Sequence, residues 1–206
     1  MAQAMSKLSE NAETGFMDED RELVLRSQKG DDDAFEQLVL RHQKKMVNIA
    51  FRITGTYEDA CDVAQDAFVS AYKEIQRFEC KSRFSTWLYT ITVNLSKNRL
   101  KQIITARNRH EVSIHAEEGA ISIDPPSADP NALEMLEKRD IKKGVQDCIA
   151  KLEEDFRVVV VLRDIQGFAY NEIGAMLKVA EGTVKSRLFR AREMLKKCLK
   201  GRFGEL

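Results

Sequence analysis

Gly182-Thr183-Val184-Lys185-Ser186-Arg187-Leu188-Phe189-Arg190-Ala191-Arg192 carries the strongest fold signal in the chain. Wound as an α-helix, it sets Val184, Leu188, Ala191 and Leu195 at i, i+4, i+7 and i+11, one apolar stripe. The other face then carries Lys185, Ser186, Phe189, Arg190 and Lys196. Packing alone does not choose a phenylalanine that faces away from the core among cations and a hydroxyl. A helix in a DNA major groove uses such a set: cations for phosphates and guanine edges, an apolar group for a thymine methyl. The alternative is a solvated, basic C-terminal helix.

The residues upstream favour DNA. Phe168 to Leu177 reads as a short amphipathic helix with Ile173 and Leu177 on one side, Lys178-Val179-Ala180-Glu181 has turn length, and Gly182 stands at the junction. Helix, tight turn and basic helix form a helix-turn-helix, whose second helix presents its N-terminal residues to base edges. From Gly182 to the end, eight bases (Lys185, Arg187, Arg190, Arg192, Lys196, Lys197, Lys200, Arg202) face Glu193 and Glu205, a net of +6.

The whole chain nevertheless balances 33 bases against 33 acids. The compensating acidity lies at the other end, where residues 1–40 hold ten acids against Lys7, Arg21, Arg26 and Lys29, a net of −6. Such segregation points to DNA at some surfaces and different partners at others. No apolar run approaches the about 20 residues that span a bilayer. The N-terminus lacks the order of a secretory signal, so the sequence predicts a cytoplasmic chain with no membrane insertion of its own. Cys61, Cys80, Cys148 and Cys198 are spread too widely for a paired-cysteine zinc site and are expected to be reduced thiols. His42, His110 and His115 stand in no catalytic constellation, and no phosphate-binding glycine loop is present. The expectation is a protein with no metal, no cofactor, no catalytic residue and no enzymatic activity.

Composition breaks between about Asn108 and Asn131, where all three prolines fall (Pro125, Pro126, Pro130). Pro125-Pro126 cannot continue a helix, so 108–131 reads as a flexible linker. Apolar spacing is helical on both sides. The expected fold is all-α: two small helical domains, 19–107 and 132–203, with the helix-turn-helix in the second and a disordered tail over 1–18. Asn131 is a plausible N-cap for the second block, and Val158-Val159-Val160-Val161 is expected to be a buried helix despite its β propensity. The first block is expected to hold helices near 19–29, 32–53, 57–77 and 83–101, with Gly30 and Gly55 ending the first two.

The third of these helices has an expected core stripe of Tyr57, Cys61, Ala64, Phe68, Tyr72 and Ile75. Its other face carries Glu58, Asp59, Asp62, Gln65 and Asp66. First-turn acids suit the helix dipole, which accounts for Glu58 and Asp59 but not for Asp62 and Asp66. An acidic patch in a DNA-associated protein suggests docking onto a basic protein surface. The fourth helix pairs a core stripe of Phe84, Leu88, Ile91 and Leu95 with a polar strip of Arg83, Thr86, Thr90, Asn94, Lys97 and Lys101, Trp87 on its border and Tyr89 beyond the opposite edge. Before it lies the loop Phe78-Glu79-Cys80-Lys81-Ser82. Aromatics among cations and hydroxyls suit single-stranded DNA, whose bases stack or insert. Equally, Phe78, Phe84 and Trp87 can be core aromatics of a helical bundle.

Three runs together, Asp59-Ala60-Cys61-Asp62-Val63-Ala64-Gln65-Asp66-Ala67-Phe68, Phe84-Ser85-Thr86-Trp87-Leu88-Tyr89-Thr90-Ile91-Thr92-Val93-Asn94, and Gly182 to Arg192, resemble a bacterial sigma factor. The resemblance is to the extracytoplasmic-function, sigma-E-like group of the sigma-70 family and covers nearly the whole chain after about residue 20. It implies binding to core RNA polymerase and promoter-specific transcription initiation, with stress response as the physiological class. Asp59, Asp62, Gln65, Asp66 and Phe68 match the motif that docks on the β′ clamp helices. Phe78, Lys81, Ser82, Arg83, Phe84, Thr86, Trp87, Thr90, Asn94, Lys97 and Lys101 match the part that recognises and melts the −10 element, a flipped-out base lying near the loop. Thr183, Lys185, Ser186, Arg187, Phe189, Arg190 and Arg192 match the −35 reader, with Arg187 and Arg192 as phosphate contacts. The second domain would also contact the β flap tip, and the linker would thread toward the RNA exit path. The implied partners are therefore core polymerase, double- and single-stranded promoter DNA and a membrane-associated anti-sigma factor, without a stable homo-oligomer. The sequence departs from the family at Cys80, where many relatives have Gly, and at Ala180, where Pro or Ser is frequent. The competing readings are a dimeric helix-turn-helix regulator acting alone and an interaction module without DNA binding.

Overall fold

The computed structural model describes residues 18–109 and 132–204. The expected tail, linker, Asn131 cap and His110 and His115 lie outside the described residues, apart from the ends of those segments. All regular elements among the described residues are helical.

The first block contains α1 (Arg21–Ser27), α2 (Asp32–Thr54), α3 (Tyr57–Glu74) and α4 (Phe84–Arg109). Their ends have local causes. Asp31 caps α2, its carboxylate accepting from Ala34 N at 3.0 Å, and Thr56 caps α3 by accepting from Asp59 N at 3.3 Å. Gly55 ends α2 with a φ of 97°, a left-handed conformation that suits a residue without Cβ. After α3 a 3-10 turn, Ile75–Arg77, leads into the loop before α4.

Two stripes differ from the sequence reading. The buried face of α3 is Ala60, Val63, Ala64, Ala67, Phe68 and Ala71; these small residues let α3 approach α2 and α4 closely. Tyr72 is exposed, its hydroxyl donating to Asp32 at 2.7 Å, because the packed face is rotated toward the alanines. On α4, Tyr89 is buried against Phe168 of the second block, the rings meeting edge to face at 5.0 Å.

The second block contains α5 (Ala132–Ala150), α6 (Glu154–Val160), α7 (Tyr170–Leu177) and α8 (Glu181–Phe203). Val158 to Val161 are buried in helix, and a π-helical turn over Val161–Ile165 follows α6. Burial on all sides overrides their β propensity. The cysteine expectation is overturned: Cys148 of α5 and Cys198 of α8 form a disulfide, with Cα atoms 5.9 Å apart, while Cys61 and Cys80 are free. A separation of 50 residues hid the pair until α5 and α8 crossed at that point.

The two blocks pack on one another. The buried guanidinium of Arg157 donates to Ile53 O at 2.7 Å across the junction, and to Leu152 O and Ala150 O within its own block. Arg52 donates to Gln146 Oε1 at 2.9 Å. Satisfying buried carbonyls with a charged donor avoids the desolvation cost of leaving them unpaired.

Candidate nucleic-acid interface

The helix-turn-helix consists of α7, the turn at Lys178–Ala180 and α8. Lys178 takes a left-handed φ of 55°, and Val179 N donates to Gly174 O at 3.0 Å. A Cβ on Gly174 would stand 2.9 Å from Val179 O, so this close approach requires glycine. Glu172 accepts from Ala169 N at 2.7 Å and ties down the start of α7. The helix α8 begins at Glu181 with no side-chain cap from Ala180.

On α8, Val184, Leu188 and Ala191 are buried and Leu195 is half-buried. Lys185, Ser186, Phe189 and Arg190 face outward, and Phe189 is 69% exposed. Lys185 pairs with Glu181 at 2.6 Å and lies over the Tyr170 ring; Ser186 donates to Thr183 O at 3.0 Å. The remaining cations turn elsewhere. Arg187 is half-buried and pairs with Asp155 at 2.7 Å, while Arg192 grips Asp164 through two nitrogens at 3.1 and 2.5 Å. Asp155 and Asp164 orient α8 on its own block and were not among the expected site residues; Asp155 ends the acidic run Glu153-Glu154-Asp155, whereas Asp164 stands in no local acidic pattern.

The acidic face of α3 is divided. Asp62, Gln65 and Asp66 are exposed. Asp59 is held by Arg99 of α4 at 2.6 Å, and Phe68 points into the core.

The loop and α4 form a third surface. Phe78 and Phe84 are buried, and Phe78 stacks on half-buried Trp87 with centroids 4.7 Å apart. Lys81, Ser82 and Arg83 are exposed, with Lys81 paired to Glu79. Thr86 and Thr90 are half-buried, Thr90 donating to Thr86 O at 3.0 Å, and Asn94 is exposed. Lys97 lies 3.2 Å from Glu154 and 3.6 Å from Asp155, and Lys101 lies 3.8 Å from Glu154. Carboxylates of the second block thus occupy the basic end of this strip. Among the described residues, no cluster of His, Cys, Asp and Glu is arranged to hold a metal ion, and no helix is long and apolar enough to cross a membrane.

Separate acidic and basic faces around a helix-turn-helix mark an all-helical protein of the DNA-binding class. Comparison with known proteins gives the family. The Sigma-70 region 2 model matches residues 38–103 and the Sigma-70 region 4 model matches residues 142–195. The chain is 37% identical over 184 residues to the RNA polymerase sigma-H factor of Pseudomonas aeruginosa, covering 88% of this chain and 94% of that one. It is 37% identical over 181 residues to the ECF RNA polymerase sigma-E factor of Haemophilus influenzae, covering 85% and 93%. Among solved structures, the sigma factor RpoE of Bartonella quintana in complex with the anti-sigma factor NepR superposes with a TM-score of 0.59 at 25% identity, covering 81% of this chain and 96% of that one. The chain belongs to the extracytoplasmic-function group of the sigma-70 family.

Proposed function

We infer that this chain binds core RNA polymerase and directs it to promoters, and that its three surfaces divide the work. The exposed acids of α3, led by Asp62 and Asp66 with Gln65 between them, dock on the basic β′ clamp helices. The loop from Phe78 to Arg83 and the outer strip of α4 engage the −10 element as it opens. Buried Phe78 and Phe84 act there as supports; half-buried Trp87, Thr86, Thr90 and Asn94 and the cations make the contacts. Lys185, Ser186, Phe189 and Arg190 read the −35 element, and the second block also meets the β flap tip.

The observation that carries this reading is Phe189, 69% exposed among outward-facing cations on the second helix of a helix-turn-helix. Leaving a large apolar side chain in water brings no packing benefit, whereas a thymine methyl in the major groove would cover it. The closed packing of the two blocks adds a constraint. Glu154 and Asp155 engage Lys97, and Glu154 also approaches Lys101, so these carboxylates compete with DNA phosphates for that end of α4. An anti-sigma factor would favour an inactive arrangement of the same blocks.

Reconstituted transcription tests the reading. With core polymerase, the chain is expected to give promoter-specific open complexes; without it, weak and unselective DNA binding. Tight operator-specific binding by the chain alone, as a dimer unaffected by core polymerase, would instead establish a stand-alone regulator.

A further inference from the structure

The loop Phe78–Arg83 is held at both ends by residues that precede the matched region 2 segment, which starts at residue 38. At its far end, Asp18 Oδ2 accepts from Phe84 N at 2.7 Å across 66 residues. The first N–H groups of a helix have no partner within it, and Arg83 offers no acceptor, so Asp18 supplies the missing cap of α4 from outside. At its near end, Gln28 Nε2 donates to Ile75 O and to Phe78 O, both at 2.8 Å. One amide thereby fixes the exit of the 3-10 turn and the first residue of the loop.

The strut that carries these two residues is itself pinned. Asp20 lies 2.7 Å from His42 Nε2 and 3.1 Å from Arg41 Nη1, both on α2, and its backbone N donates to Asp18 Oδ1 at 3.3 Å. Between the ties, Cys80 takes a φ of 54°, a left-handed conformation costly for a residue with a Cβ. An open cleft separates α1 from the loop, lined by Arg21, Leu25, Gln28, Arg77, Phe78 and Cys80. Ties within the chain thus set the shape of the loop.

We propose that Asp18 and Gln28 are positioning residues for promoter opening, fixing the loop in the form that receives an unstacked base. The proposal rests on the reading of the loop and α4 as the −10 surface. A base leaves the stack at a cost of a few kcal/mol, so a receptor already in shape avoids a further ordering cost at that moment. Both residues act through the loop and need not touch DNA.

The test uses the full chain with core polymerase and a promoter carrying each of the four bases at the position the loop reads. Open complex is followed by permanganate reactivity of unpaired thymines, and core binding is measured separately. Asp18→Ala and Gln28→Ala are each expected to lower open complex on duplex DNA by about tenfold, the loss of one or two such bonds, and to flatten the base preference. Core affinity stays unchanged. Asp18→Asn keeps one acceptor oxygen for Phe84 N and gives up the longer contact from Asp20 N, so it recovers part of the loss. Gln28→Glu turns acceptors toward two carbonyl oxygens and does no better than alanine. Falls in core binding and thermal stability with base preference intact would reduce both residues to general supports and overturn the proposal. So would wild-type opening rate and preference in all four variants. Failure of the unmodified chain to open any promoter with core would strike the underlying reading instead.

Discussion

Removing the disulfide between Cys148 and Cys198 tests how the second block is held together. The bond joins α5 to the C-terminal half of α8 and spans 50 residues of sequence. In the chain-entropy account, a cross-link stabilises by restricting the unfolded chain, by about 3 kcal/mol for a 15-residue loop and about 4.7 for 100 residues, which puts this one near 4 kcal/mol. The native contacts around it do not run through the sulfurs: Arg202 pairs with Asp147 at 2.7 Å, and Phe203 lies over Gly144. The loss is therefore expected in the unfolded state, with the folded block keeping its shape. Urea unfolding of the full chain, with and without reductant, should show the second block's transition fall by about 4 kcal/mol on reduction or in Cys198→Ser. Thiol titration of the unreduced, denatured chain should find Cys61 and Cys80 alone, and all four cysteines after reduction. Phe189 and Arg190 lie nearer the opposite end of α8, so −35 selectivity should survive while the block stays folded. Four reactive thiols before reduction, or a Cys148→Ser variant that still responds to reductant, would mean that no Cys148–Cys198 bond holds the block.

Three further outcomes are expected. Burial alone pushes the Asp20 carboxyl up, but hydrogen bonds and charges from His42 and Arg41 outweigh it and hold it below its ordinary value. Its contribution to stability is thus complete above the unfolded carboxylate pKa of about 3.9 and fades as pH falls through the lower folded value; the urea stability gap between wild type and Asp20→Asn should close in acid. Arg190→Ala should cost about 1–3 kcal/mol of discrimination at one −35 base pair if the guanidinium reads a base edge, and competition binding with all four base pairs there would expose an equal loss on every sequence as a mere phosphate contact. Glu154→Gln with Asp155→Asn removes pairs in which the lysines and acids are partly exposed, worth about 0.2–1 kcal/mol each, so affinity of the free chain for single-stranded −10 DNA should rise a few-fold. An unchanged affinity in fluorescence anisotropy would mean that these carboxylates do not compete with phosphates.

Much of the fold was legible because helical periodicity is a local property. Val184, Leu188 and Ala191 repeat at the spacing of one helix face and are buried, and that placement sends Phe189 and Arg190 outward without knowledge of any partner. Gly30 and Gly55 both take positive φ at the ends of their segments. The extent of α4 was underestimated: it runs to Arg109, where 101 was expected. Local pattern was weakest on α3, where alanines form most of the packed face and hydrophobicity alone gave Tyr72 the weight that Ala60, Ala67 and Ala71 carry.

The site divides in the same way. Residue order placed the basic face of α8 and the acids of α3, because side-chain direction follows from backbone winding. The packing of the helices settled which charges on those faces are already engaged. Asp59 goes to Arg99, Arg187 to Asp155, Arg192 to Asp164, and Lys97 to Glu154. It also decided that Asp18 and Gln28, far away in sequence, hold the loop before α4, and that two distant cysteines meet. These are encounters between elements, set by where helices cross, and the period of a single helix holds no information about the residue that faces it.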